Sequence, residues 1–189
     1  MSKNIDKGFD PEMVGWYHRE MFRLHDLKKW DKLKQNACEM MTALGYEPEN
    51  TEKAARFVLE AYRNADFAAE AQKSGNRDEE NAYYDSTLNN FLQASKSLNS
   101  NTAGIEYKIG WYKFERHNKP FLVAYYLFQE HLKRFGILHL DVVVYTTWIA
   151  FWGGYFAHKK HNWKKLENVM IKYWRCIHKV CPIRPPLQI

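Results

Sequence analysis

The chain has 189 residues, of which 46% are hydrophobic, 26% charged and 16% aromatic, with a formal net charge of +6. That length fits one compact domain or one array of small repeated units, and nine glycines with six prolines exclude a long flexible linker. The positive charge admits anionic partners, but Lys and Arg are spread along the chain, with "HKKHNWKK" at 158–165 the dense exception.

Residues 1–9 are polar, lack an apolar signal core and read as an N-terminal tail, so a cytoplasmic address is expected. Asp10, Pro11 and Glu12 then form a helix start, with Pro at the first helical position. Met13, Trp16, Tyr17, Glu20, Met21 and Leu24 follow at helical spacing. A second helix is predicted from Trp30 to Leu44, with Leu33, Ala37, Met40, Met41 and Leu44 on one face and Gly45 at its C-cap. A third is expected over 52–72, capped by Asn50 or Thr51. "KSGNRD" at 73–78 is a turn, and a fourth helix follows, with Tyr84, Leu88, Phe91, Leu92 and Leu98 in its apolar set. "NSNTAG" at 99–104 is the clearest loop and marks the place for any subdomain break.

The second half reads alike: a helix over about 104–117, a break at "HNKP", and a helix from Pro120 to about Arg134 ended by Gly136. Another helix is expected over 139–160 and a last one over 163–180, before a Pro-rich tail at 181–189. The expectation is therefore a single all-α domain at 10–180, with about eight helices in antiparallel hairpins at 10–46, 52–99, 104–136 and 139–180. Ala124 and Phe128 reproduce an A-x3-F element, and Asn118 falls near a turn. This resembles the helix–turn–helix unit of tetratricopeptide-type repeats, although the full W-x2-L-G-x2-Y set and a 34-residue period are missing. The resemblance implies a groove that recognises peptides or protein segments, and it leaves two arrangements open, a stacked array or a compact helical bundle.

"VVVYTTWIAFWGGYFA" at 142–157 carries no charge, but sixteen residues with mid-segment Thr, Tyr and Trp read as a core helix better than as a span of about 20 apolar residues. Cys38, Cys176 and Cys181 read as reduced thiols, with Cys38 a small core residue. His158 and His161 share a helical spacing that would suit a metal, yet no nearby carboxylate or thiol completes a ligand set, so no metal is expected. No glycine-rich phosphate loop is present, and no cofactor is expected. Arg134 to His139 has the R-x4-H spacing of the all-α HEPN ribonucleases, and that resemblance would make the two residues catalytic on RNA. Gly136 between them favours instead a helix end followed by a loop.

The reading that remains is a non-enzymatic adaptor that binds a protein or peptide, because Trp, Tyr and Arg are the residues enriched at interface hot spots. The outward aromatic and basic residues assigned to that surface are Tyr17, Arg19, Tyr112, Arg116, His117, Lys119, Lys159 and Lys160. The rival readings are a basic all-α nucleic-acid binder or ribonuclease, and a small membrane-associated subunit using 142–157.

Overall fold

The computed structural model describes residues 9–100, 120–136, 139–149 and 161–180. Among the described residues the fold is all-α, with seven helices and no strand: α1 (Pro11–Asp26), α2 (Trp30–Ala43), α3 (Pro48–Ser74), α4 (Arg77–Ser97), α5 (Pro120–Phe135), α6 (Leu140–Ile149) and α7 (Trp163–Val180). The expected helix over 104–117, the second half of the run at 142–157, the tail at 181–189 and all of the N-terminal tail but Phe9 lie outside the described residues.

Local chemistry sets most boundaries. The Asp10 carboxylate accepts from the Glu12 and Met13 amides (2.9 and 3.2 Å) and so opens α1. Gly75 (φ 78°) ends α3 in the left-handed conformation, and the Asn76 side chain then accepts from the Glu79 amide (3.3 Å) to open α4. Gly136 (φ 70°) ends α5, as the sequence suggests. One expectation fails. Neither Asn50 nor Thr51 caps α3, which begins earlier, at Pro48. The ring presets the first-turn φ there, and Thr51 lies fully buried inside the helix. Its hydroxyl donates to the Pro48 carbonyl (2.8 Å) and sits 3.2 Å from the Cys38 thiol, so it ties α3 to α2.

Helices α3 and α4 form a long antiparallel hairpin, and α2 packs on α3. Small residues let these helices approach: Ala54, Ala61, Ala65, Ala68 and Ala71 are buried along α3, facing a core that includes Tyr62, Tyr84 and Phe91. Met21 and Leu24 of α1 complete this first cluster. A second cluster joins Phe22 of α1 to Ala124, Ile149, Leu166, Val169 and Met170 of α5, α6 and α7. Ala124 and Phe128 are thus packing residues. Helix α1 serves both clusters, and it packs against α7, so the first helix meets the last. That contact closes the chain on itself, the compact alternative of the two arrangements.

The α1–α7 seam is built at unusually close range. A Cβ at Gly15 would stand 2.8 Å from both the backbone nitrogen and the Cα of Ile171, and 2.6 Å from its Cγ1. One turn on, Glu20 is buried between Arg19 and Arg23, pairing with both guanidinium groups. Arg19 also reaches across to Glu167 of α7 (Nη2 to Oε2, 2.9 Å). Burial pushes the Glu167 carboxyl up, but Lys164 and Arg19 outweigh it and hold the group below its ordinary value. Further along, the Trp174 indole N–H donates to His18 Nδ1 (3.3 Å), and Phe9 stacks on His178 with ring centroids 4.6 Å apart.

Replacing Gly15 with Ala sets two effects against each other. Helix propensity favours Ala by about 1 kcal/mol, whereas forcing a methyl against backbone that cannot swing aside costs about 1–3 kcal/mol. Gly15→Ala is expected to lower the urea midpoint, with a net loss of up to about 2 kcal/mol at unchanged slope; a higher midpoint would contradict the close seam.

Candidate partner-binding surface

The turn between α1 and α2 presents the richest exposed chemistry. The Lys29 amide donates to the Leu24 carbonyl (2.9 Å) and the Lys28 amide to that of His25 (3.0 Å), the bond pattern of a Schellman stop. Lys28 fills its left-handed position with φ 54°, where glycine is usual. The comparable positions after α2, α3 and α4 carry Gly45, Gly75 and Asn99. Left-handed backbone costs a Cβ-bearing residue about 1–2 kcal/mol, a cost that Lys28 bears where glycine would not.

Its ammonium pairs with the Asp66 carboxylate of α3 and lies 5.4 Å from the centroid of the Trp30 ring. The Arg63 guanidinium is 5.7 Å from the same ring. Trp30 is half-buried with two cations against it, an arrangement in which the ring quadrupole attracts both charges. Beneath them the His25 ring lies 4.8 Å from Tyr62 and 5.9 Å from Trp30, with Nε2 3.1 Å from Asp66 Oδ1. Burial pushes the Asp66 carboxyl up, but hydrogen bonds and charge from His25 and Lys28 outweigh it and hold the group low. Leu27 and Phe67, the neighbours in sequence of Lys28 and Asp66, are both exposed, and Phe67 contacts the Tyr83 ring at 5.3 Å. The surface is an aromatic centre with a cationic edge and two exposed apolar side chains.

Comparison with family models, with curated proteins and with solved structures finds no match for this chain. The geometry therefore carries the functional argument alone.

The residues singled out from the sequence fall in several places. Tyr17 is half-buried against Trp16 (centroids 5.1 Å); burial, then the Glu39 carboxylate, raise its phenol above the ordinary value. Arg19 lies over the Trp16 ring at 5.3 Å, but its charge is committed to Glu20 and Glu167 in the seam. Tyr112, Arg116, His117, Lys119, His158, Lys159 and Lys160 lie outside the described residues. His161 is exposed and pairs with Asp26 of α1 (Nδ1 to Oδ2, 3.5 Å). Arg134 belongs to the last turn of α5 and His139 precedes α6, with the Gly136 stop between them. His139 Nδ1 accepts from the Asp141 amide at 3.4 Å.

Sequence reading missed Lys28, Trp30, Arg63 and Asp66. A signal was present in "LKKW" at 27–30, where a helix stops without Gly or Asn. The partners Arg63 and Asp66 are more than 30 residues away and carry no local mark.

Because Asp66 is depressed in the folded chain, its contribution is present above the unfolded value of about 4 and is lost as pH falls through the lower folded value. Asp66→Asn should cost about 1–2 kcal/mol at pH 7, and chemical denaturation should show a shallower decline in stability from pH 5 to acid than in the wild type. An unchanged acid limb would show that Lys28 and His25 do not hold this carboxylate.

Proposed function

We propose that this chain is a non-enzymatic interaction protein that binds a partner protein through the Trp30 surface, with Leu27 and Phe67 as apolar contacts and Lys28 and Arg63 as the cationic edge. The observation that carries the reading is the half-exposed Trp30 ring with Lys28 and Arg63 against it, beside exposed Leu27 and Phe67. Trp and Arg dominate interface hot spots because each combines a large contact area with directional polar groups. A matching partner segment presents carboxylates around one or two apolar side chains. Its acids approach Lys28 and Arg63 while its apolar group covers the indole. Lys28 in a left-handed position supports the same reading, since a charged residue standing where glycine would cost less suits recognition better than stability.

Lys28→Gly separates the two roles. Glycine relieves about 1–2 kcal/mol of backbone cost and removes an exposed ion pair that contributes about 0–1 kcal/mol, so the fold should be equally or more stable. Partner capture should nevertheless fall. A photo-crosslinking residue placed at Leu27 or Phe67 in the native host should yield a discrete protein adduct, weakened by Lys28→Gly and abolished by Trp30→Ala with Arg63→Glu. The same adducts from a crosslinker at Glu49 on the far end of α3, or adducts indifferent to these substitutions, would refute the proposal.

A further inference from the structure

Helix α7 turns a basic face to solvent. Its exposed residues are Lys164, Lys165, Asn168, Lys172, Arg175 and Lys179, while Glu167, the one acid in its sequence, is drawn into the α1–α7 seam. Lys164 pairs with Glu167 and Arg175 with Glu12. Lys165, Lys172 and Lys179 recur every seven residues, which lines them up two turns, or roughly 10 Å, apart along the helix.

Helix α6 lies beside that row. Burial and then the Asp141 carboxylate raise the Cys176 thiol, and Lys179 opposes them, so the start of α6 stands near the end of α7. Ile149, at the other end of α6, shares a cluster with Leu166, Val169 and Met170. The two helices are therefore antiparallel. Val142, Thr146 and Ile149 form the buried side of α6, and the opposite side carries Leu140, Val144 and Trp148, which are 74%, 42% and 49% exposed. These three recur every four residues and make one continuous apolar stripe. Trp148 stands seven residues after Asp141, on the same face, which brings the indole to the α7 side of the stripe, level with the stretch from Lys165 to Lys172.

An apolar stripe edged by a row of lysines fits a particular kind of surface. A partner helix would need a groove, but the stripe lies opposite the packed side of α6 and forms a ridge. A second copy would bring one lysine row towards another. Nucleic acid would satisfy the lysines and leave Leu140, Val144 and Trp148 in water. A planar anionic bilayer satisfies both, with the stripe at the acyl boundary, the indole at headgroup level and the lysines on phosphates and carboxylates. We propose that the α6–α7 face docks peripherally on an anionic lipid surface. Among the described residues no helix is long and apolar enough to cross a membrane. The chain's net charge of +6 adds to the attraction. This surface is separate from the one around Trp30, and the two roles are compatible in a protein that holds a partner at a membrane.

Co-sedimentation with vesicles tests this directly, using phosphatidylcholine alone and phosphatidylcholine with about one-third phosphatidylserine. The full chain should bind the anionic vesicles and not the neutral ones, with affinity falling as salt rises. Each lysine contributes roughly fivefold, so Lys172→Glu with Lys179→Glu should weaken binding at least about 25-fold. Leu140→Ser, at the most exposed position of the stripe, and Trp148→Ala should each weaken it several-fold, with circular dichroism spectra unchanged. Lys28→Gly should leave it intact. Equal binding to neutral vesicles, absence of binding, or insensitivity to the α6 substitutions overturns the proposal. So does binding of a single-stranded RNA oligonucleotide that needs the lysines but not Leu140 or Trp148, because the row would then be a nucleic-acid surface.

Discussion

Two helix backbones touch at Gly15 and Ile171, where no side chain separates them. Helices usually pack with axes 8–10 Å apart because side chains interpose; a glycine at the crossing lets α1 and α7 come closer. That approach draws Arg19 within reach of Glu167, Trp174 within reach of His18 and Phe9 onto His178. Each of these contacts joins residues more than 140 positions apart in the chain. The first helix is thereby fixed to the last, and α1 becomes a shared wall between the α2–α4 core and the α5–α7 core. The buried Glu20 has its desolvation offset within α1 by Arg19 and Arg23, and the Arg19–Glu167 pair then carries charge complementarity across the seam.

The two exposed surfaces follow from this frame. Closing α1 onto α7 turns Glu167 inward and leaves the lysines of α7 outside, which creates the basic row. On the other side of α1, its last turn is pinned over α3 by His25 and Lys28 at Asp66, which places Trp30 beside Arg63.

The all-α class and most helix limits were legible, because they rest on local chemistry: Pro11 after Asp10, Gly75 before Asn76, Pro120, Gly136 and the 3.6-residue spacing between them. The start of α3 was misread because Thr51 looks like a cap and is instead a buried hydroxyl between helices, a distinction that tertiary contacts decide. The α1–α7 contact had no such local sign. Gly15 lies inside a good helical pattern and shows its purpose only once Ile171 stands against it. Arg19, assigned to an outer surface by its type and spacing, is held by carboxylates from its own helix and from α7. Charge pairing over long separations is invisible to periodicity, and the Trp30 surface was missed for the same reason.

A helix α1 shared by both cores and fixed to α7 requires the two helices to open together. Native-state hydrogen exchange in increasing denaturant measures this residue by residue. If α1 is the common wall, the amides of α1 around Gly15 and those of α7 around Ile171 should merge into one opening with the same free energy and denaturant dependence. An α7 that exchanges through its own lower-energy opening, while α1 stays protected with α3, would contradict the account.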